Sequence, residues 1–120
     1  MKKQAAIASF ALLMVPVLSH AQGLGSIVGT ITDPSGGAIA SAQVTATEVG
    51  TGFAREARTD DQGYFVIPSL RPAAYRVSVE AKGFSVAKQG VTLLADQTLT
   101  VNVQLKLGMS TEIVTVSGAS

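Results

Sequence analysis

The chain of 120 residues contains no cysteine and no tryptophan, and its single histidine is His20. Without cysteine there can be no disulfide, so a folded domain has to be held together by its core alone. Cysteine and histidine are also the side chains most used as nucleophiles, metal ligands and acid–base groups. Because residues 21–120 lack both, a Ser–His–Asp catalytic arrangement is excluded there.

Residues 1–21 have the features of a secretory signal peptide. Lys2 and Lys3 give a positive N-terminus, residues 5–19 are almost wholly apolar, and a small-residue pattern predicts cleavage after Ala21. The apolar stretch is shorter than the about 20 residues of a membrane span, which argues against the alternative of a retained anchor. We therefore predict an exported protein whose mature domain does not span a membrane.

The mature sequence carries little net charge. Removing Lys2 and Lys3 leaves seven basic and eight acidic residues, a net charge of about −1. No basic stripe is available to neutralise phosphates, so we predict that the protein does not bind nucleic acid. About 99 residues suffice for one domain without disulfides, since a chain of this size buries roughly 60–68% of its unfolded surface.

Short segments with a period of two alternate with turn signals in the mature sequence, and no window has a sustained helical period. The pattern predicts seven strands, at residues 26–32, 42–49, 53–59, 64–67, 74–81, 84–94 and 98–107. The third is polar, as expected of an edge strand. We expect Pro68 to end the fourth strand and Gly90 to form a bulge or bend in the sixth. The last alternates most regularly, with one apolar side formed by Leu99, Val101, Val103, Leu105 and Leu107.

Strands that are each apolar on one side need a second sheet to cover that side, which favours a two-sheet antiparallel sandwich. The segment TDDQGYFVIPSLRPAAY, residues 59–75, contains the clearest turn signals. Asp60 and Asp61 can bond local backbone N–H groups and Gly63 can take a positive φ. Tyr64 and Phe65 follow on opposite faces of a short strand, so one is expected in the core and the other at the surface.

Three segments together resemble carboxypeptidase regulatory-like domains: VGTITDPSGGAIASAQVTAT, TDDQGYFVIPSLRPAAYRVSVEAKGF and QTLTVNVQL. These domains are small transthyretin-like sandwiches in a superfamily also described as having a carbohydrate-binding-like fold. The resemblance implies a seven-stranded antiparallel Greek-key β-sandwich over residues 22–107. The family usually has proline–glycine before its conserved tyrosine, whereas here Ala73 follows Pro72, so this turn is expected to differ while Tyr75 keeps its place.

The residues that carry the resemblance are expected to have structural roles. The ring of Tyr75 should pack in the sandwich while its hydroxyl bonds backbone near the corner, and Phe84 should close one end of the core. The full set of predicted turn and core residues is Asp60, Gly63, Tyr64, Phe65, Pro72, Tyr75, Gly83 and Phe84.

Acidic residues are the remaining candidates for chemistry. The oxygens of Asp33, Asp60, Asp61 and Asp96 suit calcium, but EF-hand spacing is absent and aspartate before glycine is ordinary turn chemistry. Asp60 and Asp61 are adjacent in one turn rather than flanking a cleft, which argues against a glycosidase pair. Transthyretin-like folds include a ureide hydrolase that depends on histidine, and the mature chain has none. We therefore predict no enzyme activity, no metal and no cofactor.

The C-terminal residues 108–120 follow the last alternating strand. Within them, an acidic residue followed by IVTVS resembles the TonB box of TonB-dependent outer-membrane receptors; these residues are Glu112, Ile113, Val114, Thr115, Val116 and Ser117. In Oar-like receptors a carboxypeptidase regulatory-like domain precedes such a box. An extended apolar segment of this kind can add a strand to a partner sheet. The alternative, a further strand of this sandwich or a linker, is equally compatible with the pattern.

The sequence thus predicts an exported, non-enzymatic interaction module resembling the N-terminal extension of such a receptor, in the periplasm or at the outer membrane. Its expected partners are a TonB-type protein or an outer-membrane barrel. The alternative is a free carbohydrate-binding or adhesive module. The scarcity of aromatic residues argues against glycan binding, since most of them are needed for the core.

Overall fold

The computed structural model describes residues 23–108 and 113–115, and within these ranges the chain is all-β. Its strands, in chain order, are β1 (Gly25–Thr32), β2 (Gln43–Glu48), β3 (Ala54–Arg58), β4 (Tyr64–Leu70), β5 (Ala73–Glu80), β6 (Val86–Leu93), β7 (Thr98–Thr100), β8 (Val103–Gln104) and β9 (Ile113–Thr115). None of the described residues belongs to a helix long and apolar enough to cross a bilayer.

The strands form two sheets that pack face to face. The first sheet has the order β4–β1–β7, with β8 also paired to β1, and the second has the order β3–β2–β5–β6–β9. The chain leaves the second sheet after β3, forms β4 in the first sheet, and returns to the second as β5. The predicted all-β sandwich is confirmed, and β3 lies at a sheet edge as its polar sequence indicates.

The core lies between the sheets and follows the period of two. Every second residue of β1 is buried, and β5 has the same alternation. The largest fully buried side chains are Phe65, Ile27, Ile31, Ile67, Leu93, Leu105, Val44, Val77 and Val79. Burying such a side chain stabilises the fold by roughly 1.5–3 kcal/mol. The two apolar faces therefore stabilise each other, as expected for a domain without disulfides.

The first sheet differs from the prediction in strand direction and in strand number. β1 pairs antiparallel with β4 but parallel with β7 and β8, so the sandwich is not wholly antiparallel. The seventh predicted strand is interrupted between β7 and β8, which gives eight strands up to Gln104 instead of seven. At the interruption, Thr30 N–H donates to Asn102 Oδ1 at 3.0 Å. The Asn102 side chain thus takes the place of a ladder carbonyl.

Gly29 lets the segment between β7 and β8 approach β1 closely. The Val101 carbonyl comes so close to β1 that a Cβ on Gly29 would lie 1.8 Å from its oxygen. Only glycine permits this approach. Val101 N–H still donates to the Val28 carbonyl at 2.7 Å, so the two strands remain joined on both sides of the break.

Two predicted irregularities are wrong. β4 continues through Pro68 to Leu70, because β4 is an edge strand and the missing N–H of proline costs no ladder bond there. A bulge in β4 lies nearby. β4 has one more residue than β1 between the pairs Ile27–Ile67 and Gly25–Leu70, and Ser69 has φ 60° there. Gly90 forms no bulge, since it pairs in register with Arg76 in the middle of β6.

The inward side predicted for the last strand is correct up to Leu105 and wrong at Leu107, which is 72% exposed. Beyond Leu105 the chain leaves the first sheet and bonds to the turn before β6. The Lys106 carbonyl accepts a hydrogen bond from Ser85 N–H at 2.8 Å, and Leu107 forms a single bridge with Phe84. The core alternation therefore ends two residues earlier than predicted.

Two mid-strand glycines provide a test of the close approach in the first sheet. Gly29→Ala should destabilise the domain by about 2–3 kcal/mol, because β1 has to move away from the Val101 carbonyl. Gly90→Ala is the matched control, since no atom lies near its added Cβ, and it should be neutral or stabilising by up to about 1 kcal/mol. Urea unfolding measures both. Equal effects of the two substitutions would contradict the role given to Gly29.

Candidate functional site

Tyr75 anchors the corner between β4 and β5 as predicted. Its side chain is 3% exposed, and its hydroxyl donates to the Arg71 carbonyl at 2.6 Å. Burial raises the pKa of Tyr75, the Glu48 carboxylate raises it further, and Arg71 and Arg55 partly oppose this shift. The hydroxyl therefore stays protonated and holds the backbone at Arg71.

The predicted hairpin turn before β4 is also present. Asp60 Oδ1 accepts hydrogen bonds from the N–H groups of Gln62 and Tyr64, both at 2.9 Å, and Gly63 has φ 74°. Phe65 then points into the core, whereas Tyr64 is 42% exposed. Asp60 is thus a structural residue of the turn.

The other predicted structural residues lie at the two ends of β5. Pro72 is partly buried in the turn before β5, and Ala73 is the first residue of that strand. After β5, Gly83 has φ 86° and Phe84 packs partly buried against the core. Phe84 therefore contacts the core, as the sequence predicted, while remaining partly exposed.

The four aspartates considered as calcium ligands lie in three separate turns, with Asp60 and Asp61 sharing one of them. Asp33 Oδ1 accepts bonds from Ser35 N–H, Ser35 Oγ and Gly37 N–H, and the hydroxyl and backbone donors lower its pKa. Asp96 lies in a third turn, with φ 58°. Within residues 23–108 and 113–115, no three histidine, cysteine, aspartate or glutamate side chains are placed to share a metal ion.

The C-terminal segment adds a strand to the second sheet. β9 pairs parallel with β6, with Ile113 opposite Val86, Val114 opposite Ala87 and Thr115 opposite Lys88. The other predicted contact residues, Glu112, Val116 and Ser117, lie outside the described residues, as does the leader. Among the interpretations left open by the sequence, the backbone of residues 113–115 adopts that of a further strand of this sandwich.

A second feature, which sequence reasoning missed, lies where β3 and the end of β4 face each other. The cavity here has a volume of about 250 Å³, and we call it the edge cleft; it is lined by Glu48, Phe53, Arg55, Ser69, Leu70, Arg71 and Tyr75. These residues come from four separate segments of the chain. Phe53 and Arg55 are two residues apart, but Arg71 lies 16 positions after Arg55, so no local motif indicates that the two arginines meet.

Thr59 is a second residue whose role the sequence did not reveal, and this role is structural. Its buried hydroxyl donates to the Ile39 carbonyl at 2.6 Å and accepts from Ala42 N–H at 2.8 Å. It therefore ties the loop before β2 to the end of β3. A single threonine after a polar strand gives no signal for such a role.

Comparison with known proteins agrees with this architecture. The family model described as carboxypeptidase regulatory-like domain matches residues 26–106. No curated protein sequence matches the chain significantly.

Several solved structures share the fold at low sequence identity. A proposed carbohydrate binding protein from Pseudomonas aeruginosa has a TM-score of 0.57 and 17% identity, over 68% of this chain and 88% of that one. The minor pilin of Streptococcus agalactiae has a TM-score of 0.61 and 17% identity, over 74% of this chain and 47% of that one. Catechol 1,2-dioxygenase from Pseudomonas arvilla C-1 has a TM-score of 0.61 and 12% identity, over 79% and 56%.

The chain spans about half the length of the pilin and the dioxygenase, and nearly all of the Pseudomonas aeruginosa protein. At these identities the likeness establishes the β-sandwich and nothing further.

Adjacent aspartates test the structural role of the hairpin turn. Asp60→Ala should destabilise the domain by about 1 kcal/mol, because two backbone N–H groups lose their acceptor. Asp61→Ala, at an exposed neighbouring position, should change the unfolding free energy by less than about 0.5 kcal/mol. Chemical denaturation compares the two. A larger loss for Asp61→Ala would contradict the assignment of Asp60 as the turn acceptor.

The raised pKa of Tyr75 predicts a specific dependence of stability on pH. In the unfolded chain the phenol ionises near its ordinary value of 10.0, whereas the folded domain retains the proton to higher pH. Its contribution is therefore complete below pH 10.0 and is lost as pH rises toward the folded-state pKa.

Tyr75→Phe should lower the unfolding free energy by about 1–2 kcal/mol at neutral pH. The difference between wild type and this variant should then shrink above the ordinary tyrosine pKa of 10.0. Denaturant unfolding at a series of pH values measures it. A difference that stays constant across that range would contradict the raised pKa.

Proposed function

The chain belongs to the carboxypeptidase regulatory-like domain family, and on this premise we propose that it is an exported, non-enzymatic interaction module. The observation that carries the proposal is the pairing of β9 with β6, in which residues 113–115 extend an existing sheet by one strand. Backbone hydrogen bonds of this kind are the basis of recognition by strand addition.

The distribution of reactive groups is unfavourable for catalysis. Residues 21–120 contain neither cysteine nor histidine. Asp33 and Asp60, two of the acidic side chains considered above, accept backbone N–H bonds in separate turns. The edge cleft contains one carboxyl group, Glu48, rather than the pair of carboxyl groups that glycoside hydrolysis requires.

The partner that we propose is a TonB-type protein. Residues 112–117 resemble a TonB box, and the predicted leader would place the domain in the periplasm beside the outer membrane. In this proposal the C-terminal segment docks on β6 in the free protein and pairs with the partner when it is present. The domain would then act as the N-terminal extension of a TonB-dependent receptor.

A free carbohydrate-binding module is the second candidate. The exposed ring of Tyr64 and the fold shared with the Pseudomonas aeruginosa protein favour it. The other exposed aromatic side chain in residues 23–108 is Phe53, which lines the edge cleft. Because Tyr64 does not line that cleft, the two rings do not form one platform for a sugar chain.

Binding to a TonB C-terminal domain tests the first candidate. The full chain should be retained on the immobilised partner, and a chain ending at Leu107 should lose at least tenfold in affinity, because the segment that supplies the strand is gone. Circular dichroism of the truncated chain is the control, since β1 to β8 lie within residues 25–104. Equal retention of both chains would remove the C-terminal segment from the function.

A further inference from the structure

The edge cleft combines positive charge with apolar surface in a small volume. Arg55 on β3 and Arg71 after β4 both line it, together with the exposed ring of Phe53 and the buried side chain of Leu70. The Arg55 guanidinium carbon lies 5.7 Å from the centroid of the Phe53 ring. Phe53 and the two arginines therefore border the same space.

The charges of the cleft do not cancel. Arg71 Nη2 contacts Glu48 Oε2 at 2.9 Å, and Glu48 is the single carboxylate in the lining. The side chain of Glu48 is 13% exposed, whereas that of Arg71 is 63% exposed. Arg71 uses one nitrogen for this contact, so its other N–H donors can point into the cleft, and Arg55 adds a second positive charge. The cleft thus has a net charge of about +1 and accepts an anion.

The backbone holds these groups in place. The Tyr75 hydroxyl fixes the Arg71 carbonyl, and the bulge at Ser69 sets the direction in which β4 ends. Glu48 is held from two sides, because its N–H donates to the Phe53 carbonyl and its side chain contacts Arg71. The Arg71 backbone and the Glu48 side chain are thus positioned before a ligand binds, which reduces the conformational entropy lost on binding.

We propose that the edge cleft binds a small carboxylate carried on a ring, with Arg55 and Arg71 holding the carboxylate and Phe53 contacting the ring. Guanidinium groups match a carboxylate with paired N–H donors. The cleft volume of about 250 Å³ is below that of sites for drug-sized ligands, which suits a single ring. A uronic acid and an aromatic acid are two sources of this chemistry. This site goes beyond the proposed function and does not depend on the C-terminal segment.

Titration of the full chain with small probes, followed by amide NMR, tests the site. Glucuronate and benzoate are the two ring carboxylates, glucose is the neutral ring, and acetate is the carboxylate without a ring. We expect the ring carboxylates to shift the amide signals of Phe53, Arg55 and Arg71, with affinity at least fivefold higher than that of glucose or acetate. Stronger binding of glucuronate would identify a sugar acid, and stronger binding of benzoate an aromatic acid.

Variants with opposite expected effects separate binding from a structural role. Arg55→Gln should weaken binding about fivefold, because one guanidinium is lost at an exposed site. Glu48→Gln should tighten binding, since it removes the competing carboxylate while its amide oxygen still accepts from Arg71. Arg76→Gln is the matched control, because Arg76 is also exposed, lies on β5 and does not line the cleft.

The proposal is overturned if glucose or acetate binds as tightly as the ring carboxylates, or if no probe shifts these amide signals. It is also overturned if Arg55→Gln and Arg76→Gln weaken binding equally, because general attraction of anions to the surface would then suffice. Circular dichroism of each variant confirms that the fold is retained, so loss of binding cannot be assigned to unfolding.

Discussion

Apolar contact between the two sheets is the interaction on which the whole domain depends. There is no disulfide, and the one ion pair among the described residues joins Glu48 to the largely solvent-exposed side chain of Arg71. Pairs of this kind contribute little in water. The alternating side chains of β1, β4 and β5 supply the stability instead, and Phe65 is the largest of the fully buried ones. The two features with a functional proposal, the edge cleft and β9, both lie at sheet edges.

The edge cleft is a consequence of how the sheets meet at one side. β3 is a polar strand that ends the second sheet, and β4 ends the first, so neither has a further strand to cover it. Polar and charged side chains can therefore reach toward the core without being buried. Tyr75 closes the interior at this point, because its ring is apolar and its hydroxyl bonds the corner. Tyr75 thus packs in the core and also lines the cleft.

The sequence predicted the sandwich because a period of two is a local signal that each strand carries by itself. The turn at Asp60 was predictable from its local turn residues, and the packing of Tyr75 from the alternation of its strand. Which of Tyr64 and Phe65 enters the core was left open by the sequence, and the structure buries Phe65. The parallel pairing of β1 with β7 was not, since it joins residues 72 positions apart, such as Ser26 and Thr98. The edge cleft was missed for a related reason, because Arg55 and Arg71 come together only through the crossing of the chain between sheets.

The strength of the β9 pairing determines whether the C-terminal segment can be shared with a partner. β9 contributes three residue pairs with β6, whereas β5 and β6 share seven. A short terminal strand opens at a lower free energy cost than the strands of the core. While docked, it covers an edge that would otherwise offer unpaired N–H and C=O groups to other chains. A segment that protects this edge and also detaches first is suited to exchange between its own domain and another sheet, since the same backbone groups serve both.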